Sequence, residues 1–250
     1  MFQHTPTTPL PAPPPLVAAS HSLLLDFDGT LVALAAGPDA IEIDDALATL
    51  LHRLVGTFGG RVALVSGRSV AQLDGFLGDA VSAMAVVGSH GAETRHGGAH
   101  ILPARPDALV AAETAIRDRF GQREGVVIEI KSLGVGIHYR MSPDAETEAR
   151  AIAAELGQAN GLAVQEGKMM VELRVAGHDK GSGITALMQQ PPFAGTTPIF
   201  LGDDVTDEAG FAAVANLGGF GVLVGEARPT AASYLLPSVQ AVREWLGTAA

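Results

Sequence analysis

Two acidic clusters lie far apart in this chain, and each directly follows a short apolar run. The run 23–25 leads into DFDGT at 26–30, and the run 198–201 leads into GDDVTDE at 202–208. Short apolar runs without polar alternation are typical of strands in a parallel sheet that is covered on both faces. Because ligands of such sheets bind at the carboxyl ends of the strands, we expect the two clusters to converge there.

The pattern of strands and helices changes twice along the chain. Up to residue 104, and again from residue 178, apolar strands alternate with helices, which predicts an α/β core with a mostly parallel, Rossmann-like sheet. Residues 105–177 instead have the order α-β-β-α-β-β, with strands that alternate polar and apolar residues as in an antiparallel sheet. We therefore predict a core of residues 21–104 and 178–250, interrupted by an inserted α+β domain at 105–177.

The first twenty residues differ from the rest in composition. Six of the 15 prolines lie in the first fifteen residues, and the stretch lacks the basic and apolar regions of a secretory signal. We predict a mobile Pro-rich leader at 1–20 outside the fold, with a Pro-rich docking ligand as the less favoured alternative. No apolar run approaches the roughly 20 residues of a membrane span, so we expect a cytoplasmic protein with no membrane partner.

Charge and cysteine content exclude several classes of site. The net charge of -11, from 27 acidic and 16 basic residues, argues against nucleic acid as a partner. The absence of cysteine excludes a disulfide scaffold, a thiolate-ligated metal and a thiol nucleophile. The three lysines of the chain are Lys131, Lys168 and Lys180, and all three lie inside the motifs described below.

Convergence of the two acidic clusters has a chemical consequence. Carboxylates that lie close together repel and raise one another's pKa. A hard divalent cation with oxygen ligands removes this cost, and Mg²⁺ fits such a site best. For Asp204, Asp207 and Glu208, the alternative is a solvated helix N-terminus, which the helix dipole also favours.

The motifs occur in a characteristic order. DFDGT at 26–30 is followed by Ser66, Lys180 and GDD at 202–204. This order and the strands around it resemble the haloacid dehalogenase (HAD) superfamily of phosphohydrolases over roughly residues 23–246. The resemblance implies a Rossmann-like core, phosphoryl transfer chemistry and an inserted cap of the larger C2 type, which closes over the site and selects the substrate.

The resemblance also assigns roles to single residues. It implies that Asp26 is the nucleophile and forms an aspartyl-phosphate, while Asp28 protonates the leaving oxygen and then activates water. It implies that Mg²⁺ is held by the Asp26 carboxylate, the Asp28 backbone carbonyl and Asp203, with Asp207 or Asp204 assisting. The residues that it assigns to the phosphate are Thr30, Ser66, Gly67 and Lys180.

Further sequence segments point to one family within this superfamily. SGR at 66–68, GSHGAE at 88–93, EIK at 129–131, HYR at 138–140 and KMMVELR at 168–174 resemble the trehalose-6-phosphate phosphatases. The resemblance implies that a disaccharide phosphate is the substrate. The residues that it assigns to the sugar and its phosphate are Arg68, His90, Gly91, Glu129, Lys131, Arg140, Lys168 and Glu172.

The spacing of the charged residues in the inserted domain agrees with this assignment. Glu129 and Lys131 are two apart in a strand and therefore share one face, and Glu172 shares a face with Lys168 if their strand begins there. Charged groups also suit a ligand made mostly of hydroxyls. The alternative for these residues is a solvated face with weak ion pairs.

The residues leave several functions open. The favoured one, which the resemblance implies, is a monomeric, Mg²⁺-dependent phosphatase that hydrolyses trehalose 6-phosphate to trehalose and phosphate. A phosphatase of the same cap type acting on sucrose phosphate or a mannosyl phosphoglycerate is the first alternative, and a mutase or a non-catalytic sugar-phosphate sensor is less favoured. At single positions, Arg68 could instead pair with an acid and His90 could be an ordinary loop residue. The segment 177–179 departs from the family pattern, which leaves the loop before Lys180 open.

Overall fold

The computed structural model describes residues 10–34, 41 and 43–249. The chain first forms parallel strands connected by helices and then an antiparallel hairpin. These elements are β1 (His21–Leu25), α1 (Asp45–Thr57), β2 (Val62–Val65), α2 (Val70–Leu77), α3 (Asp79–Ser82), β3 (Ala85–Gly88), β4 (Glu93–His96) and β5 (Ala99–Ile101).

The middle of the chain has the α-β-β-α-β-β order that its sequence predicts. Its elements are α4 (Asp107–Phe120), β6 (Val127–Lys131), β7 (Gly134–His138), α5 (Glu146–Asn160), β8 (Ala163–Gly167) and β9 (Met170–Arg174). A 3₁₀ turn at Pro143–Ala145 precedes α5, and the side chain of Ser142 bonds to Asp144 there instead of capping the helix.

The last part returns to alternating helices and strands. Its elements are α6 (Lys180–Leu187), β10 (Thr197–Gly202), α7 (Glu208–Asn216), β11 (Phe220–Val224), β12 (Tyr234–Leu236) and α8 (Val239–Gly247).

The large sheet explains why the two acidic clusters meet. Its strand order is β12-β11-β10-β1-β2-β3-β4-β5, and all neighbours from β12 to β3 are parallel. Leu23 and Leu25 face one hydrophobic cluster and Leu24 the opposite one, so the sheet is covered on both faces. β1 and β10 are neighbours, with Leu25 beside Leu201, so both acidic clusters leave the sheet at the same edge. The predicted α/β fold with a largely parallel sheet is confirmed.

A second, smaller sheet forms from the middle of the chain. We call it the small sheet; its strand order is β6-β7-β9-β8 and all pairs are antiparallel. One face packs on α4 and α5 through its own hydrophobic cluster, which includes Ile116, Val135 and Tyr139. The opposite face is polar. The exact bounds 105–177 and the C2 cap type remain predictions.

Residues 10–20 make contacts with the core, whereas the sequence predicts a leader outside the fold. The backbone of Leu235 in β12 donates a hydrogen bond to Pro11 O at 3.0 Å, and the indole of Trp245 donates to Pro14 O at 3.2 Å. Leu16 and Ala18 pack against the core. Carbonyl groups of this segment thus accept hydrogen bonds from β12 and α8, and some of its apolar side chains pack on the core. Residues 1–9 lie outside the described residues.

Three short strands were not anticipated from the sequence. The hairpin β4–β5 turns at Gly97 and Gly98, whose φ angles are +59° and +80°. Such a glycine pair between two runs is a hairpin signal, but the strands are short and polar. β12 is a three-residue strand at the other edge. Across the described ranges, none of the helices combines the length and hydropathy needed to cross a membrane.

Candidate active site

A cavity of about 480 Å³ lies between the carboxyl edge of the large sheet and the polar face of the small sheet. Residues of both sheets line it, so a single molecule can contact both at once. The predicted residues that line this cavity are Asp26, Asp28, Ser66, Gly67, Arg68, His90, Glu129, Lys131, Arg140, Lys168, Glu172, Lys180, Asp203 and Asp204.

Lys180 joins the two acidic clusters on the core side. It is the first residue of α6, and its Nζ lies 2.8 Å from Asp26 Oδ1 and 2.6 Å from Asp207 Oδ1. All three side chains are almost completely buried. Burial lowers the pKa of Lys180, but the charges of Asp207 and Asp26 outweigh it and keep the lysine protonated. We call Asp26, Lys180, Asp203 and Asp207 the core cluster.

The three carboxyl groups of the core cluster, when ionised, carry more negative charge than its one lysine can balance. Burial raises the pKa of Asp26 well above its usual range, and the Lys180 charge offsets only part of that. Burial and the charges of Asp207 and Asp204 raise the pKa of Asp203 to about 7. These carboxyls therefore resist ionisation unless more positive charge comes close.

Three of these carboxylates are placed to hold a metal ion. One oxygen from each of Asp26, Asp203 and Asp207 lies within 4.8 Å of the others. An all-oxygen set of this kind fits a hard divalent cation. Among the described residues, Asp207 rather than Asp204 completes the group, because Asp204 is exposed and accepts a hydrogen bond from Val205 N.

Gly29 allows the two acidic loops to approach this closely. Its φ is +78°, and a Cβ built there would lie 2.0 Å from Asp203 Oδ2. Any larger residue would therefore push Asp203 out of the group. The glycine of the DFDGT motif therefore allows the two acidic loops to approach each other, in addition to allowing the tight turn.

The Thr30 side chain contacts Asp26 rather than the cavity, whereas the resemblance assigns Thr30 to the phosphate. Its hydroxyl is buried and donates to Asp26 Oδ2 at 3.2 Å, and the residue does not line the cavity. The hydroxyl therefore orients the Asp26 carboxylate. Asp207 and Gly91 are likewise not among the residues that line the cavity.

Asp28 faces the cavity in an ion pair with Arg68. The guanidinium donates from Nε to Oδ2 at 2.6 Å and from Nη2 to Oδ1 at 2.8 Å. It also stacks on Phe76, 4.8 Å from the ring centre. The alternative that Arg68 pairs with an acid is therefore what the structure shows, and the backbone N–H of Arg68 donates to Ser66 Oγ at 3.1 Å.

The loop after β3 brings His90 to the cavity in a left-handed conformation. The φ angles of Ser89 and His90 are +49° and +54°, and His90 N donates to Ser66 O at 3.1 Å. The imidazole covers Gly67, where a Cβ would lie 2.6 Å from the ring, and Gly91 fits against Asp179 O. Burial lowers the pKa of His90, and Glu172 offsets part of that effect.

Charged residues of the small sheet form a second cluster on the opposite wall. Lys131 Nζ lies 2.6 Å from Glu172 Oε2 and 3.9 Å from Glu129 Oε2, so the three share one face. Burial raises the pKa of Glu172, but the Lys131 charge and the contacts with His90 together outweigh it and lower the pKa to about 2. We call Glu129, Lys131 and Glu172 the small-sheet cluster.

Lys168 and Arg140 reach the cavity from its rim, and both are exposed. Lys168 does not begin a strand: it forms the two-residue turn of the β8–β9 hairpin with Met169, because Gly167 pairs with Met170. The expected shared strand face with Glu172 is therefore wrong.

Sequence reasoning missed three residues around the site. His138 Nε2 lies 2.8 Å from Glu129 Oε2, and Gln72 Nε2 donates to Glu129 Oε1 at 3.0 Å. The buried Glu93 accepts from Val70 N and from Ser89 Oγ, and so ties α2 to the His90 loop. His138 and Glu93 lie in quoted motifs, but their partners are distant in sequence.

Comparisons with known proteins point to one family. The trehalose-phosphatase family model matches residues 24–240. The trehalose-6-phosphate phosphatase of Escherichia coli (strain K12) is 38% identical over 244 residues, which cover 96% of this chain and 90% of that protein.

Solved structures agree with this match. A trehalose-6-phosphate phosphatase related protein has a TM-score of 0.75 at 29% identity, covering 91% of this chain and 96% of that chain. A phosphatase of the HAD superfamily from Bacteroides thetaiotaomicron shares the fold, with a TM-score of 0.63 at 18% identity over 91% of this chain and 93% of that chain. With the family model matching most of its length and a relative at 38% identity, the chain belongs to the trehalose-phosphatase family.

Proposed function

We propose that the protein is a phosphatase that hydrolyses trehalose 6-phosphate to trehalose and inorganic phosphate. The observation that carries this proposal is one cavity with the core cluster on one wall and the small-sheet cluster on the other. A phosphate at the core cluster leaves the attached sugar against the small sheet. The family match and the named relatives support the same activity.

The first chemical step assigns the nucleophile to Asp26. One oxygen of its carboxylate attacks phosphorus, and the bond from phosphorus to the sugar oxygen breaks. Asp28 gives its proton to that oxygen, so trehalose leaves neutral and the phosphoryl group stays on Asp26 as an acyl phosphate. Thr30 and Lys180 each hold one oxygen of the Asp26 carboxylate, which fixes its direction of attack.

The second step returns Asp26 to its starting state. Asp28, now a carboxylate, takes a proton from a water molecule whose oxygen attacks phosphorus. The bond from phosphorus to Asp26 breaks, and inorganic phosphate leaves. The Lys180 ammonium and the Ser66 hydroxyl stand at the cavity wall, where they can stabilise the charge of the transferred group.

Asp28 must leave Arg68 before it can act as an acid. The guanidinium contacts both of its oxygens, so an incoming phosphate that attracts Arg68 would release Asp28 for proton transfer. This exchange reconciles the predicted substrate role of Arg68 with the ion pair seen in the structure.

The acidic group fits Mg²⁺. Asp26, Asp203 and Asp207 would hold it, and the Asp28 backbone carbonyl remains the further predicted ligand. The raised pKa values of Asp26 and Asp203 support this fit, because Asp26 must be ionised to attack and a divalent cation favours that state. When bound, the ion supplies positive charge close to the phosphoryl oxygens.

Phosphate release tests the proposal directly. The substrates are trehalose 6-phosphate, sucrose 6-phosphate, glucose 6-phosphate and p-nitrophenyl phosphate, each with and without Mg²⁺. We expect the highest kcat/KM for trehalose 6-phosphate and no turnover without the ion. Equal kcat/KM for all sugar phosphates would contradict disaccharide specificity, and a higher value for sucrose phosphate would favour that alternative.

We further propose that the protein acts as a monomer, since one chain supplies both walls of the cavity. Light scattering during size-exclusion chromatography should give a mass near 25.6 kDa. A mass of about twice this value would contradict the proposal.

A further inference from the structure

Gln72 joins the core to the polar face of the small sheet. It lies in the first turn of α2, three residues after Ser69, and its Nε2 donates to Glu129 Oε1 at 3.0 Å. Two other side-chain contacts between these parts are longer: His90 to Glu172 at 3.8 Å, and Ser89 to Ser132 at 3.4 Å.

The capping box of α2 fixes which way the Gln72 amide points. Its Oε1 accepts from Ser69 N at 3.0 Å and from Ser69 Oγ at 3.2 Å, while Ser69 Oγ accepts from Gln72 N at 3.2 Å. With the oxygen used by Ser69, the NH₂ group is left facing Glu129. The helix start that follows the 66–68 loop therefore also presents a donor to the small sheet.

Glu129 is thus held from two sides. Gln72 donates to its Oε1 from the core, and His138 contacts its Oε2 from within the small sheet. Its side chain is 11% exposed and lines the cavity. Held in this way, the carboxylate presents its remaining acceptor positions to a ligand in one orientation.

We propose that Gln72 is a positioning residue that orients Glu129 toward the sugar. It contacts neither the reacting atoms nor the core cluster, so its effect is confined to substrates that carry a sugar. This inference rests on the proposed function, because it assumes that Glu129 binds the sugar portion of the substrate.

Gln72→Glu separates this role from the folding of α2. A glutamate has the same shape and also completes a capping box with serine, so the helix start is kept. The donor to Glu129 is lost, however, and two carboxylates face each other. The matched control is Gln240→Glu, because Gln240 also donates to a glutamate, Glu244, at 2.8 Å, but on the exposed helix α8.

The experiment compares kcat and KM for trehalose 6-phosphate and p-nitrophenyl phosphate. We expect Gln72→Glu to lower kcat/KM for the sugar phosphate roughly ten- to a hundredfold, as for a lost hydrogen bond to a charged group. We expect a change below about threefold for p-nitrophenyl phosphate, and below about threefold for both substrates in Gln240→Glu. Equal losses on both substrates, or no loss on either, would overturn the proposal.

A double-mutant cycle with Glu129→Gln tests the contact itself. In that background the amide introduced at position 129 can donate to the carboxylate introduced at position 72, so the loss caused by Gln72→Glu should shrink to below about threefold. The same loss in both backgrounds would show that Gln72 does not act through Glu129.

Failure of the proposed function is read separately, from the wild-type protein. If another sugar phosphate has the highest kcat/KM, the same variants are compared on that substrate. The role of Gln72 is then tested by comparing the loss of kcat/KM on that substrate with the loss on p-nitrophenyl phosphate.

Discussion

The two walls of the cavity use the same arrangement to opposite effect. In each, a lysine lies between two carboxylates: Lys180 between Asp26 and Asp207, and Lys131 between Glu172 and Glu129. In the core cluster, burial raises the pKa of Asp26 and of Asp203, the latter to about 7, whereas the pKa of Glu172 falls to about 2.

Charge balance explains this difference. The core cluster opposes three carboxylates with one lysine, so it is short of positive charge and suits a cation and an anionic phosphoryl group. The small-sheet cluster opposes two carboxylates with one lysine and also contacts His90 and His138. It therefore carries a smaller excess of negative charge than the core cluster, and hydrogen bonds already occupy its carboxylates, which suits a neutral, hydroxyl-rich ligand. The excess of carboxylates over lysines in each cluster therefore indicates which kind of ligand the cluster can bind.

The largest effect is expected where the core cluster supplies the nucleophile. Asp26→Asn keeps the shape but removes the attacking charge, so phosphate release from trehalose 6-phosphate and from p-nitrophenyl phosphate should fall at least about 10⁴-fold. Colorimetric phosphate assays measure both. Asp118→Asn, on the exposed side of α4, is the matched control and should retain activity. Normal turnover by Asp26→Asn would exclude Asp26 as the nucleophile.

Metal removal tests the charge deficit of the same cluster. Treatment with a chelator should abolish turnover of both substrates, and added Mg²⁺ should restore it. Mg²⁺ should also raise the unfolding temperature of the wild type but not that of Asp203→Asn, because binding to the folded state stabilises it. Full activity in chelator would refute the assignment of the acidic group to a metal.

The core cluster was predictable from the sequence because its parts follow strands directly. An apolar run that ends in acid, repeated at two neighbouring parallel strands, fixes where Asp26 and Asp203 must go. The burial of Asp207 and the double contact of Lys180 depend on how α6 and α7 pack, and local patterns do not contain that information.

The small-sheet cluster was predictable only in part. Alternation places Glu129 and Lys131 on one face, but their partners arrive from elsewhere: Glu172 from β9, and Gln72 from the core. In the sequence, Gln72 is one more polar residue at the start of a helix. The hairpin β4–β5 was missed for a related reason, since its strands are short and polar and only Gly97 and Gly98 mark it.

Paired lysine substitutions test the contrast between the walls directly. Lys180→Gln should reduce turnover of both substrates about 10³-fold, because every substrate brings a phosphoryl group to the core cluster. Lys131→Gln should reduce kcat/KM for trehalose 6-phosphate about 10²-fold and affect p-nitrophenyl phosphate far less. Circular dichroism should first show that both variants are folded, since each leaves buried carboxylates with less charge compensation. Equal losses on both substrates for Lys131→Gln would contradict the proposal that the small-sheet cluster binds the sugar while the core cluster binds the phosphoryl group.

The smallest effect concerns stability and follows from the lowered pKa of Glu172. A carboxyl whose pKa is lowered in the folded state contributes stability above its ordinary pKa of 4.5, and this contribution is lost as the pH falls toward 2. The full contribution is roughly 3 kcal/mol, of which about 2 kcal/mol is lost between pH 6 and pH 3. Urea unfolding across this range should therefore show a steeper loss for the wild type than for Glu172→Gln.

The difference between these two proteins isolates Glu172, because the other acidic residues and His90 are present in both. Glu172→Gln is expected to be less stable at pH 6, since Lys131 loses its closest partner, so the slope rather than the absolute stability is compared. Parallel slopes would mean that the pKa of Glu172 is not lowered by its partners Lys131 and His90. The small-sheet cluster would then lack positive charge as much as the core cluster does. The proposed difference, that the core cluster binds a cation and the small-sheet cluster binds the sugar, would be contradicted.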